Sequence, residues 1–255
     1  MNDPHVESLV YELELGEGLA FNYPPPLDHE TEHFALRLDS GTLTVSMKEL
    51  HPSTRSARER VEPFLHSWEL DNDLRYGPGT LRFAYQKSVV VDRNPPSSGT
   101  HRSSELEGMV MATTFGSVRG TYSRATYPAP PSSFVASPDV VTLWNRFQGY
   151  REKRELLSAM AYFCLTLLET RSGGRDGAAA MYEVHPEVLR KLGKLTSARG
   201  DQATGRKFLA EAQPLQPQEE QWVEDVVRAL IRRVGEHAAD APLKKLSMAD
   251  FPPLP

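Results

Sequence analysis

Two histidines and a glutamate stand at a spacing that can bind a metal ion. His29, Glu30 and His33 fall in the stretch HETEH, with the two histidines four residues apart. On a helix this spacing places both imidazoles one turn apart, so that they share one zinc ion while the glutamate polarises its bound water. The chemistry would be hydrolysis by a metal-bound water, and it requires a helix.

The residues around HETEH indicate extended backbone instead. Three prolines precede it, and the segment HFALRL that follows alternates apolar and polar residues. On a strand, residues four apart are separated by about 13 Å, so His29 and His33 would not reach one ion. No third ligand follows at a recognisable spacing. The sequence therefore predicts no metal site, and nothing else in it indicates a cofactor.

A second pair of chemically capable residues lies in RRVGEH, at 232–237. This stretch resembles the arginine-x4–6-histidine motif of HEPN-family ribonucleases, which are helical proteins of toxin and phage-defence systems. The resemblance implies that Arg232 stabilises phosphate charge and that His237 acts in metal-independent acid–base cleavage of RNA. On a continuous helix, however, positions 232 and 237 point about 140° apart, and Arg233 shares the face of His237.

A third candidate is a basic segment. Residues 186–207 hold six cations against two acids, and AAAMYEVHPEVLRKL at 178–192 resembles a helix-turn-helix. In that motif the second helix enters the DNA major groove. The resemblance implies that Arg190, Lys191 and Lys194 contact DNA, and the basic character of the segment adds Arg199. Glu183 stands in the turn, where glycine is common.

The first half of the chain has the patterns of a sheet. Leu9, Tyr11, Leu13 and Leu15 alternate in one run, and two further runs flank the turn DSGT, which indicates a hairpin. Residues 53–70 have helical spacing, with Ser53 as a cap and Pro63 predicting a kink or a division. Alternation returns at 79–93. Residues 94–108 read as a polar connection, and 109–127 as two more short strands.

The second half has the patterns of helices. Ser137, Pro138 and Asp139 are a typical helix start, and the long helix that follows is predicted to break near Gly149. The stretch SGGRDG ends it. Short helices follow at AAAMYEV and PEVLRKLGKL, with another predicted at ATGRKFLAEA. The clearest helix covers 217–239, so we expect a bundle.

Composition restricts the class of protein. The chain has 255 residues, a net charge of −5 and one cysteine, Cys164, which favours a reduced, cytoplasmic location. The longest apolar run, 159–168, is about half of what a bilayer requires, and the first residues are not a secretory signal. We therefore expect no membrane contact.

Together these patterns predict an α+β chain. An α+β sheet domain at 1–127, mainly antiparallel with one covering helix, precedes a linker at 128–137, an all-α bundle at 138–240 and a proline-rich tail at 241–255. We expect a soluble, bacterial-type binding or regulatory protein without catalysis. Its sheet domain would recognise a ligand or partner, and its helical domain would self-associate or contact a macromolecule, with nucleic acid bound through 186–207. The HEPN-like ribonuclease and the helix-turn-helix regulator are the alternatives.

Overall fold

The computed structural model describes residues 3–16, 19–77, 79–94, 102–106, 122–198 and 214–254. The chain divides into two compact units, the sheet unit (Met1–Ser132) and the helical unit (Ser133–Pro255). The sheet unit holds an antiparallel sheet with one long helix, and the helical unit holds the remaining α-helices of the described residues. The predicted α+β class is confirmed.

Eight strands lie in the described part of the sheet unit: β1 (Pro4–Leu15), β2 (Leu19–Phe21), β3 (Leu27–Glu30), β4 (Phe34–Asp39), β5 (Thr42–Met47), β6 (Leu81–Asp92), β7 (Arg102–Leu106) and β8 (Tyr122–Arg124). Six of them form one sheet in the order β3, β4, β5, β1, β6, β7, and every neighbouring pair is antiparallel. The short strands β2 and β8 pair in parallel and form a separate two-stranded sheet. The predicted hairpin is β4–β5, whose turn residues Ser40 and Gly41 both have positive φ.

The alternation of β1 determines which face of the sheet is buried. Leu9 and Tyr11 have 0% and 1% exposure, and Leu13 packs against the same core. This is the pattern predicted for a strand with one buried face. The core therefore lies on the face of β1 that carries these side chains.

Two β-bulges shift this alternation along the central strands. The β1–β6 register skips Glu7 in β1 and Gln86 in β6, each of which is the extra residue of a bulge. Beyond each bulge the buried position moves by one residue, so Val6 and Ser88 are buried. A strict period of two, read from the sequence, misses both shifts.

One long helix, α1 (Thr54–Tyr76), packs on this face of the sheet. Ser53 caps it as predicted, since its side chain accepts a hydrogen bond from the Ser56 N–H. The buried stripe of α1 and the strand residues form one core cluster, to which the helix contributes Ala57, Val61, Leu65 and Trp68.

Pro63 does not divide α1, which also extends six residues beyond the predicted end at 70. A proline removes the N–H that would bond to the carbonyl four residues earlier, here that of Glu59. Pro63 and Glu59 are both exposed, so this carbonyl can bond to water. Pro63 is therefore tolerated within one continuous helix.

The prediction of a connection at 94–108 is wrong for residues 102–106. These residues form β7, which pairs with β6 at the edge of the sheet. Backbone hydrogen bonds hold an edge strand whether or not its sequence is apolar, and polar edge strands are common. Of the two strands predicted in 109–127, the described residues contain only β8, and the rest of that segment lies outside them.

The segment predicted as a linker, 128–137, contacts both units at its ends. The Trp68 indole N–H donates to the Pro128 carbonyl at 3.1 Å within the sheet unit. Phe134 is buried at 3% exposure, and the Val135 N–H donates to the Gly235 carbonyl at 3.0 Å within the helical unit. Phe134 thus belongs to the helical unit rather than to a solvated spacer.

The helical unit contains α2 (Pro138–Arg151), α3 (Leu157–Ser172), α4 (Arg175–Met181), α5 (Pro186–Ala198), α6 (Pro217–Ala238) and a 3-10 turn (Met248–Asp250). Ser137 caps α2 through the Val140 N–H, and Pro138 occupies its first turn, as predicted. The predicted break near Gly149 falls just beyond it, where α2 ends. The helix predicted at ATGRKFLAEA lies outside the described residues.

The corner between α3 and α4 depends on glycines. Gly173 and Gly174 have φ of 77° and 124°, which L side chains rarely adopt. α4 therefore begins at Arg175, inside the SGGRDG stretch that was predicted only to end the preceding helix. A Cβ on Gly177 would overlap the carbonyl oxygen of Ser172, so α4 crosses close to the end of α3.

Gly177→Ala tests this corner. We expect a loss of about 1–3 kcal/mol in the free energy of unfolding, because the backbone of Ser172 must move. Gly149→Ala is the matched control, since its Cβ would meet only the Glu155 side chain at 3.7 Å. The control should be neutral or stabilise by about 0.5–1 kcal/mol through helix propensity. Urea unfolding of both variants measures the difference. Equal effects would contradict the close approach of Gly177 to the Ser172 carbonyl.

Cys164 lies in the core of α3, and burial raises the pKa of its thiol to about 12. We expect the folded protein to be unreactive toward DTNB at mildly alkaline pH, because thiolate is the reacting form. Unfolding in guanidinium chloride should release one reactive thiol. Rapid labelling of the folded chain would contradict this.

Within the described residues, α3 and the other helices are too short or too polar to span a bilayer.

Candidate functional site

The HETEH stretch forms a strand end and a tight turn. His29 lies in β3, as predicted, whereas His33 lies in the turn before β4 rather than on a strand. The Thr31 N–H closes this turn by donating to the Phe34 carbonyl at 2.9 Å. The helix that shared zinc binding requires is not formed here.

The two imidazoles contact different neighbours. The His29 ring stacks on Phe64, with 5.5 Å between the ring centroids. The His33 Nδ1 lies 2.8 Å from the Glu49 Oε1. Each histidine therefore has a structural contact of its own.

Glu30, which would polarise a metal-bound water, is paired with a lysine. Its Oε1 lies 2.6 Å from the Lys48 Nζ, and this hydrogen bond lowers the pKa of the Glu30 carboxyl. Across the residues that the structure describes, no three His, Cys, Asp or Glu side chains are grouped so as to hold a metal ion.

We expect zinc to give no stabilisation through HETEH. Zinc at about equimolar concentration should change the melting temperature of the wild type and of His29→Ala equally, because the two imidazoles do not converge. His66→Ala, which removes an exposed histidine of α1, controls for loosely bound metal. A zinc-dependent rise that only His29→Ala removes would contradict this reading. Differential scanning calorimetry measures the shifts.

A serine, a histidine and a glutamate also approach one another at the start of α1, where no sequence motif indicates them. The His51 Nδ1 lies 3.0 Å from the Ser56 Oγ, and its Nε2 lies 3.9 Å from the Glu49 Oε2. The second distance exceeds a hydrogen bond. The hydrogen bond from His33 is the largest cause that lowers the pKa of the Glu49 carboxyl. His51 is 7% exposed, and its carbonyl accepts from the Val6 N–H, so we assign the group a structural role.

The two residues of the ribonuclease motif do not meet within one chain. The Arg232 Nε donates to the Glu236 Oε1 at 2.8 Å, and the Arg233 Nη1 lies 3.1 Å from the other oxygen of that carboxylate. His237 is exposed, with its ring 5.3 Å from that of Tyr182. Since α6 is continuous, positions 232 and 237 point about 140° apart. The ribonuclease role stays a prediction.

The residues of the helix-turn-helix stretch form two helices joined by four residues. Glu183 in this turn has φ of 48°, the left-handed conformation that glycine adopts most readily. The Val184 N–H donates to the Ala179 carbonyl at 2.9 Å, and the Val184 side chain is 1% exposed. The turn thus has the backbone that glycine would favour, although a glutamate occupies it.

The C-terminal tail holds this turn from the other side. The His185 N–H donates to the Leu246 carbonyl at 2.7 Å, and the Leu246 N–H donates to the Glu183 carbonyl at 2.8 Å. Farther along, the Phe251 ring lies 5.8 Å from that of Trp222 in α6. The tail therefore packs on its own unit and fixes the turn between α4 and α5.

α5 has one buried face and one basic face. Its buried side chains are Val188, Leu189, Leu192, Leu195 and Thr196. Arg190 and Lys194 are exposed one turn apart, and Lys191 beside them is partly exposed. Glu187, the acid near the start of this helix, lies 3.8 Å from the His185 Nδ1. Arg199 lies outside the described residues.

Comparison with protein-family models, curated proteins and solved structures finds no match to this chain. The fold orders α4, the turn and α5 with three cations on accessible positions. It does not bring together His29 with His33, or Arg232 with His237.

Proposed function

We propose that this chain is a non-catalytic cytoplasmic binding protein whose helical unit contacts double-stranded DNA through α5. The observation that carries the proposal is the left-handed turn at Glu183, held by Leu246. The turn joins α4 to α5 through four residues, a length typical of a helix-turn-helix, and Arg190 and Lys194 on α5 are exposed. The sheet unit would recognise the ligand or partner that regulates this contact.

Charge supports a local contact rather than general affinity for nucleic acid. The chain carries a net charge of −5, so its surface as a whole does not attract phosphate. On α5, Arg190, Lys191 and Lys194 stand within about one helical turn. A helix of thirteen residues fits the major groove, and its cations can reach phosphates or base edges.

We do not extend the proposal to RNA cleavage. The Arg232 guanidinium already pairs with Glu236, so its charge is compensated within α6. His237 and Arg232 would have to be completed by residues of another copy, and nothing on α6 favours that arrangement over an ordinary helix end.

Arg190→Ala and Lys194→Ala test DNA binding. Each should weaken binding of a mixed-sequence duplex about three helical turns long, because each removes one cation that contacts phosphate. The slope of log K against log salt should fall by about one for each substitution. Fluorescence anisotropy between ~50 and ~200 mM salt measures both quantities.

Lys87→Ala is the matched control, because it removes an exposed cation of β6 in the sheet unit. It should leave affinity and salt slope unchanged. Equal weakening by all three substitutions would indicate a general charge effect, and binding that is absent or insensitive to salt would refute the proposal.

A further inference from the structure

An open cleft of about 620 Å³ lies in the sheet unit between α1 and the strands. We call it the Tyr11 cleft. Arg58, Glu62 and Glu69 line it from α1, and Tyr11, Phe83 and Tyr85 line it from the strands. Neither a metal pattern nor a catalytic motif in the sequence indicates this place, and its residues come from three separate elements.

Tyr11 contributes a hydroxyl without a partner. The side chain is 1% exposed, and its hydroxyl oxygen has no hydrogen-bond partner among the described residues. A buried hydroxyl without a hydrogen bond destabilises the folded state, so a ligand that supplies the missing bond would be favoured. Burial, and then the charge of Glu62, raise the pKa of the Tyr11 phenol, which keeps it neutral.

Arg58 shows which chemistry the cleft accepts. Its guanidinium carbon lies 4.4 Å from the centroid of the Tyr85 ring, a cation–π contact. Its Nε lies 2.5 Å from the Glu62 Oε1. A neighbouring hollow of about 550 Å³ shares these three residues. The Arg58 head group therefore stands between an aromatic face and a carboxylate where two open spaces meet.

The charges around the cleft favour a second cation over an anion. Glu59, Glu62 and Glu69 line it, against the guanidinium of Arg58 and the imidazole of His66. Glu59 pairs outward with Arg55 at 2.9 Å, and one oxygen of Glu69 accepts from the Phe83 N–H at 2.7 Å. Among the described residues Glu62 pairs with Arg58 alone, so its carboxylate can exchange one cation for another.

We propose that the Tyr11 cleft binds an organic cation, a guanidinium or a primary ammonium, which takes the place of Arg58 between Tyr85 and Glu62. The Tyr11 oxygen then accepts a hydrogen bond from the bound cation. Arg58 acts as an internal occupant that excludes weak competitors from the position between Tyr85 and Glu62. The same chemistry could come from a free small amine or from an arginine side chain of a peptide.

Calorimetric titration of the full chain with agmatine tests this assignment at low ionic strength. Arg58→Ala should bind agmatine about tenfold more tightly, because removing an internal competitor raises the fraction of open cleft. Glu62→Gln should bind about tenfold more weakly, since a charge-assisted contact is lost. Arg60→Ala and Glu32→Gln change exposed residues outside the cleft and should behave as the wild type.

Tyr11→Phe separates ligand binding from a structural role. Removing an unpaired buried hydroxyl should leave the melting temperature unchanged or raise it, while agmatine binding weakens about threefold or more. Tyr23→Phe, at a fully exposed tyrosine, is the matched control and should change neither quantity. A lower melting temperature for Tyr11→Phe would reveal a structural partner for the hydroxyl and overturn the proposal.

A second titration identifies the source of the cation. A capped tripeptide with a central arginine that binds more tightly than agmatine supports a peptide side chain, and the reverse order supports a small amine. Absence of heat from agmatine with both the wild type and Arg58→Ala would overturn the proposal. Binding of glutarate that Arg58→Ala abolishes would also overturn it, by assigning the cleft to carboxylates. None of these titrations contains DNA, so their outcome is independent of the function proposed for α5.

Discussion

The burial of α1 across the central strands is the contact on which the sheet unit depends. Trp68 has 0% exposure, and its ring centroid lies 4.8 Å from that of Phe83. Truncating a buried tryptophan to alanine typically destabilises a protein by about 3–5 kcal/mol. Because Trp68 fixes the helix against the sheet, it also fixes Arg58 and Glu62 above Tyr85. The position of the cleft thus follows from the packing of Trp68 on Phe83, which itself lines the cleft.

Much of this fold could be predicted, because residues that are buried on one face of a strand or helix recur at a regular spacing in the sequence. Leu9 and Tyr11 alternate on one strand, and the α1 stripe repeats every three or four residues. The bulges at Glu7 and Gln86 could not be predicted, since the position of an extra residue depends on the register of a neighbouring strand. β7 was missed because the pairing of an edge strand is decided by backbone hydrogen bonds and leaves little trace in composition.

In the candidate sites, too, features within one helix could be predicted, whereas contacts between segments far apart in the chain could not. The basic character of α5 was predicted from the charge of its segment, and helical spacing puts Arg190 and Lys194 on one side of the helix. The contact of Leu246 with the turn was not, because it joins segments far apart in the chain. Nor does the sequence indicate that the Tyr11 hydroxyl lacks a partner. The i,i+4 spacing of Arg58 and Glu62 was a local signal, but ordinary surface pairs share it.

The bridge between Val184 and Leu246 has a consequence for how the chain is made. During synthesis α4 and α5 leave the ribosome well before Leu246 does. Until then, nothing from the tail offsets the cost of left-handed backbone at Glu183, about 1–2 kcal/mol for a residue other than glycine. A nascent chain therefore carries the cations of α5 before Leu246 is available to bond to the turn that sets the direction of α5.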